Sequence, residues 1–208
     1  MTTLAVEYAL GLLEPVHVLE HAALIVVVTA PLMIAVMWLM RRSVDMQEKL
    51  SVLANRDPLT GIFNRRAFFD AMNGIGEGTI LMIDADHFKQ VNDDHGHAVG
   101  DRVLESIARH IQSTTRRGDV VGRLGGEEFA VFLAGADEDR ARAVGDRIAE
   151  GTKIITDGDV SIEVTLSVGG VHSRYAEDFS SLVNLADKML YAAKDAGRSR
   201  LVMWPQAG

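Results

Sequence analysis

The chain has 208 residues, with 21 lysines and arginines against 29 aspartates and glutamates, a formal net charge of -8 and no cysteine. Its length accommodates one well-cored domain and a modest appendage, but not a second catalytic domain. The acidic balance excludes the broad basic field that draws a protein onto nucleic acid, and the missing thiols exclude disulfides, thiolate metal sites and a cysteine nucleophile.

From Ala22 to Met40 the sequence AALIVVVTAPLMIAVMWLM carries no charge. At about 1.5 Å of rise per residue it is long enough to reach across bilayer hydrocarbon. A single transmembrane helix over 22–40 is expected, kinked at Pro31. The alternatives are a buried core helix or a signal peptide, and the latter is disfavoured because Glu7, Glu14 and Glu20, with no lysine or arginine, precede the apolar run. Arg41 and Arg42 directly after it predict an N-terminus outside and a cytoplasmic remainder. Residues 1–21 then form a short extracytoplasmic segment, in which Leu4 to Leu13 suits an interfacial helix. His17 and His21, at i and i+4, could hold a metal or serve as polar flanks.

Residues 41–55 read as a helical linker. Met46, Leu50 and Leu53 have the spacing of a short parallel coiled coil, and equally of a plain helix. After Arg56-Asp57-Pro58 an α/β domain is expected over 56–208. Its predicted elements are a helix over 65–72, a strand over 79–83, a helix over 97–115, and strands over 119–124 and 128–133 around Gly125-Gly126. A helix over 137–155, a strand over 160–171, a helix over 180–196 and a last strand over 200–203 follow.

Two segments carry chemistry. In Leu81-Met-Ile-Asp-Ala-Asp86 an apolar strand ends in two carboxylates that point to one side, where a hard cation finds carboxylate and carbonyl oxygens together. By itself this pattern is equally a solvated strand end. In Arg123-Leu-Gly-Gly-Glu-Glu-Phe129, the glycines let the backbone approach a phosphate or base closely, and the carboxylates can hold a metal or accept a proton. A pair of acidic strand ends is the arrangement used for metal-assisted nucleotidyl transfer.

Gly125-Gly-Glu-Glu-Phe129 resembles the signature of the GGDEF family of diguanylate cyclases, in its GGEEF form. Arg56-Asp-Pro-Leu-Thr-Gly-Ile-Phe-Asn-Arg-Arg66 resembles the family's entry motif, and Asp84-Ala-Asp-His-Phe-Lys-Gln-Val-Asn-Asp93 its metal and substrate segment. Gly96-His97 to Gly100-Asp101 and Tyr191-Ala-Ala-Lys-Asp-Ala-Gly-Arg198 resemble its next helix start and its closing phosphate-contact segment. The likeness covers about residues 54–204.

That resemblance implies an α/β sandwich like nucleotidyl cyclase and polymerase palms, with a central, mostly antiparallel sheet flanked by helices. It implies GTP as substrate, cyclic di-GMP as product and inhibitor, and a homodimer in which each monomer supplies half a site. The cofactor would be Mg²⁺, with Mn²⁺ as substitute, held by Asp84, the main-chain carbonyl of Ala85, Glu127 and Glu128. Glu127 would also accept the proton of the 3′-hydroxyl, and Lys89 would offset transition-state charge. Asn92 and Asp101 would read the guanine edge, His97 would contact substrate, and Lys194 and Arg198 would hold triphosphate oxygens. Arg116-Arg-Gly-Asp119 is similar to the family's RxxD product site, with Arg147 as its secondary arginine; otherwise it is a polar turn. Together with the apolar run, the resemblance implies a single-pass protein of the inner membrane, open to a membrane or extracytoplasmic sensory partner. A receptor that binds the nucleotide without turning it over, and a palm-like enzyme with another nucleotide preference, are the rival readings.

Overall fold

The computed structural model describes residues 6, 23–24, 27–42, 55–72, 76–156, 160–173 and 179–205. Apart from Val6, the expected interfacial helix lies outside the described residues, as do His17, His21, Met46, Leu50 and Leu53. The chain divides into two compact units, Met1–Ala54 and Asn55–Gly208.

In the first unit, residues 27–42 are helical and their side chains are exposed, Leu32, Ile34, Trp38 and Leu39 among them. Among the described residues no helix is long and apolar enough to cross a membrane. The expected span over 22–40 is thus not found as one continuous helix, since residues 22, 25 and 26 lie outside the description.

The second unit runs β1 (Phe63–Asn64), α1 (Arg65–Met72), β2 (Gly78–Ala85), α2 (Phe88–His95), α3 (His97–Thr114), β3 (Val120–Gly125) and β4 (Glu128–Ala134). It continues through α4 (Glu138–Ala149), β5 (Thr152–Ile155), β6 (Ser161–Val164), β7 (Leu166–Ser173), α5 (Phe179–Asp195) and β8 (Arg200–Met203). Six strands form one sheet in the order β1-β3-β4-β2-β7-β8. The β3–β4, β4–β2 and β2–β7 pairs are antiparallel, while β1–β3 and β7–β8 are parallel, so the expected mostly antiparallel sheet is mixed, with parallel pairs at both edges.

Strand β2 is buried along its whole length, and its alternating side chains feed two cores because successive residues face opposite sides of a sheet. Leu81 and Ile83 pack with Val103, Leu104, Ile107 and Ile111 of α3 and with Val144 and Ile148 of α4. Ile80 and Met82 pack with Phe68 and Met72 of α1 and with Leu182, Ala186 and Leu190 of α5. Helices therefore cover both faces, as expected for the sandwich.

Two expected elements are corrected. The helix expected to run to Ile155 stops at Ala149, and Thr152–Ile155 is a strand. Gly151, at φ 77°, breaks the helix, and a side chain there would lie 2.0 Å from the Val164 carbonyl oxygen. The single strand expected over 160–171 is two: β6 pairs with β5 in a separate hairpin, and β7 pairs with β2 and β8. Helix α2 was not anticipated, because its short polar segment shows little periodicity.

Helix α5 sits directly on β7 at Gly169, where an added Cβ would lie 2.1 Å from the Leu190 nitrogen and 2.2 Å from the Ala186 carbonyl oxygen. Backbone cannot yield as a side chain can, so Gly169→Ala is expected to cost about 3 kcal/mol or more, at the upper end for overpacking. Urea unfolding of the variant checks this; an unchanged midpoint would show that α5 can lift off β7 freely.

Candidate active site

Strand β2 delivers Asp84 to its C-terminal end, where it pairs in register with Glu128 of β4 and Ser167 of β7. Asp84 is buried. Burial pushes its carboxyl above the ordinary value, and the hydrogen bond and charge of Lys194 work against that rise. The Lys194 Nζ, from the last turn of α5, lies 2.9 Å from Asp84 Oδ2. Arg198 is also close enough to stabilise the charged carboxylate. The structure thus brings Asp84 to Lys194 and Arg198, which lie at the far end of the domain in sequence.

The β3–β4 hairpin closes beside this strand end. Gly126 takes φ 49°, the left-handed conformation that the turn demands, and Ala85 N–H donates to the Glu127 carbonyl at 3.3 Å. Arg123 fastens the turn from below: its Nε and Nη2 donate to the Gly126 carbonyl at 2.9 and 2.7 Å, and its Nη1 reaches the Asp57 carboxylate at 3.1 Å. Asp57 in turn accepts from the Thr60 N–H and hydroxyl at 2.9 and 2.7 Å. Burial alone would raise the Asp57 carboxyl, but the bonds from Thr60 and Arg123 outweigh it and hold the carboxyl below its ordinary value. The entry motif and the signature turn are therefore one bonded unit, a connection that linear spacing does not reveal.

Lys89 and Asn92 lie on α2, His97 opens α3, and Asp101 stands just past its first turn. Helices α2 and α3 meet at Gly100, where an added Cβ would stand 2.0 Å from Asn92 Oδ1. Asn92 is thereby held against α3 at the residue preceding Asp101.

The donor set at the strand end fits a hard divalent cation: carboxylate and main-chain oxygens stand where a cationic ammonium already lies against Asp84. Among the described residues, no three histidine, aspartate or glutamate side chains converge as a ready metal cluster. Asp84 and Glu128 stand on paired strand ends, with Glu127 in the adjoining turn, rather than as a closed shell.

Away from this centre, the Asp119 side chain is fully covered. It accepts from Arg140 Nη2 at 2.8 Å and from the Arg116 N–H at 3.0 Å, while the half-exposed Arg116 guanidinium donates to the Ala134 carbonyl at 2.6 Å. Arg140, twenty-one residues away in α4, was missed by sequence reasoning, because nothing local marks it as a partner. Arg147 donates to the carbonyls of Ala143 and Thr114, which places it against the C-terminal end of α3, two residues before Arg116. A surface pocket of about 350 Å³ is lined by Arg56, Phe63, Gln112, Arg116, Arg117 and Asp119 among others.

The family model described as diguanylate cyclase, GGDEF domain, matches residues 54–200. The probable diguanylate cyclase DgcT of Escherichia coli (strain K12) is 35% identical over 195 residues, covering 80% of this chain and 43% of that protein. The chain thus spans less than half the length of this curated relative. Diguanylate cyclase SiaD of Pseudomonas aeruginosa, solved in complex with its activator SiaC, matches with a TM-score of 0.69 at 32% identity, covering 98% of this chain and 80% of that one. The coiled coil and GGDEF domain of DgcB from Caulobacter crescentus, in complex with c-di-GMP, gives 0.68 at 26% identity, covering 85% and 99%. Since the family model accounts for most of the chain and the fold is shared with these structures, the chain belongs to the GGDEF diguanylate cyclase domain family.

Proposed function

We propose that the protein is a membrane-anchored diguanylate cyclase that condenses two GTP into cyclic di-GMP and two pyrophosphates. It acts as a homodimer with Mg²⁺, or Mn²⁺ in its place, and is restrained by its own product. The observation that carries this reading is the ion pair of Asp84 with Lys194 at the strand end beside the Gly-Gly turn. A carboxylate, a phosphate-binding cation and an open backbone turn stand together where nucleotidyl transfer needs them.

Residues of one monomer bind GTP: Asn92 and Asp101 take the guanine edge, His97 contacts the nucleotide, and Lys194 and Arg198 hold triphosphate oxygens. Glu127 takes the proton of the 3′-hydroxyl as that oxygen bonds to the α-phosphorus of the GTP on the facing monomer. The bond to pyrophosphate breaks with its electrons, and Lys89 offsets the charge that develops. A divalent cation held by Asp84, the Ala85 carbonyl, Glu127 and Glu128 would supply charge neutralisation at the phosphate when bound.

Membrane attachment is supported by the character of residues 27–40, which carry no charge and are exposed around the whole helix. The Arg42 guanidinium lies 5.2 Å from the Trp38 ring, a pair suited to a membrane interface on the cytoplasmic side. In this reading the protein is a single-pass component of the inner membrane with its catalytic unit inside, open to a sensory partner in or beyond the membrane.

Chromatography of products after incubating purified protein with GTP and Mg²⁺ tests the activity. Cyclic di-GMP is expected, unaffected in identity by competing ATP. Recovery of bound but unreacted GTP would make the protein a nucleotide receptor instead. For the inhibitory site, Arg116→Ala is expected to raise the half-inhibitory concentration of cyclic di-GMP by about tenfold while the initial rate holds, because an effector that loses its contacts loses coupling. Identical inhibition curves would reduce Arg116 to Asp119 to a polar turn.

A further inference from the structure

Asp86, the second carboxylate after β2, has no part in the reaction as read above, yet it is 5% exposed and fully engaged. Ser167 Oγ donates to its Oδ1 at 2.7 Å, Thr165 Oγ1 to its Oδ2 at 2.7 Å, and the Ser199 N–H to the same Oδ2 at 3.0 Å. Its own N–H donates to the Thr165 carbonyl at 3.0 Å. One buried side chain thus joins the end of β2, the break between β6 and β7, and the turn leading into β8.

That turn is unusual. Gly197, Arg198 and Ser199 have φ of 108°, 61° and 48°, and the last two are side-chain-bearing residues in the left-handed region. Such conformations persist only where surrounding bonds enforce them. The Gly197 N–H goes to the Lys194 carbonyl at 3.3 Å and the Arg198 N–H to the Ala193 carbonyl at 3.0 Å, which caps α5. The next N–H, of Ser199, is the one that Asp86 takes.

We infer that Asp86 is a positioning residue whose carboxylate holds the Arg198-Ser199 turn in its left-handed form and so aims the Arg198 guanidinium at the triphosphate. This rests on the proposed role of Arg198. Without the anchor the turn relaxes toward ordinary backbone angles and Arg198 loses its direction, while the separately bonded Lys194 stays on Asp84.

The test is a double-mutant cycle on the full chain, read as the dissociation constant of α,β-methylene GTP with Mg²⁺ by calorimetry. Asp86→Ala and Arg198→Ala are each expected to weaken binding by roughly tenfold, the scale of a lost charged hydrogen bond. Combined, they should weaken it little beyond either alone, because both remove one interaction. Asp86→Asn, which keeps an oxygen for the Ser199 N–H, should retain most of the affinity, and the Ser199 amide should lose hydrogen-exchange protection only in Asp86→Ala. If the two effects multiply, or if Asp86→Ala binds normally, the positioning role is overturned while that of Arg198 stands. If Arg198→Ala alone changes nothing, the role of Arg198 fails and the inference with it. Should Asp86→Ala not fold, Ser199→Pro at this exposed position both removes the N–H that Asp86 takes and, with φ fixed at about −65°, forbids the left-handed turn; wild-type affinity in that variant would overturn the inference.

Discussion

Glu127→Gln is expected to lower the rate of cyclic di-GMP formation by a factor on the order of a hundred or more, with folding unchanged, because a neutral amide cannot take the 3′-hydroxyl proton and is a poor ligand for a hard cation. The fold should tolerate the change. Among the described residues the Glu127 carboxylate has no hydrogen bond or ion pair, and what ties this position to β2 is its main-chain carbonyl, which accepts from Ala85. Gln keeps that carbonyl and the side-chain volume. Pyrophosphate release at saturating GTP, set beside thermal unfolding of both proteins, measures the effect. Near-normal turnover in a folded Glu127→Gln protein would remove the proton-acceptor role and move the base elsewhere.

The second large effect concerns assembly. Residues 1–54 and 55–208 are separate compact units, so the catalytic unit can be prepared beginning at Asn55. If the reaction needs two GTP-loaded domains face to face, the N-terminal unit acts by raising their effective concentration, and tethering of this kind changes association by roughly 10²–10⁴. The fragment is expected to be mostly monomeric when dilute, with specific activity down by about a hundredfold and rising with protein concentration. Fusing it to an unrelated parallel dimeric coiled coil should restore activity without membrane attachment. Specific activity that is full and independent of concentration would leave residues 1–54 as an anchor alone.

The signature turn, the acidic strand end and the helices α3 and α5 were legible in the sequence because each is a local pattern: adjacent glycines, a D-x-D after apolar residues, a 3.6-residue repeat. The same locality explains the errors. The helix expected over 137–155 carries apolar residues past its true end, and only the pairing of β5 with β6 and the left-handed Gly151 turn Thr152–Ile155 into a strand. Likewise Thr165 looks like any strand residue, yet it marks the point where the chain leaves one sheet for another and bonds Asp86 instead.

By itself the sequence determined the family, the chemistry-bearing residue types and most of the elements, since these depend on covalent neighbours and short periodic spacing. Only the tertiary structure decided which charges meet. Asp84 with Lys194, Arg123 with Asp57 and Gly126, Asp119 with Arg140, and Asp86 with Ser199 include partners up to 113 residues apart. Each is selected by strand register and helix packing, and a buried carboxylate must find its donors wherever the fold delivers them, because leaving it unpaired costs more than any local preference can repay.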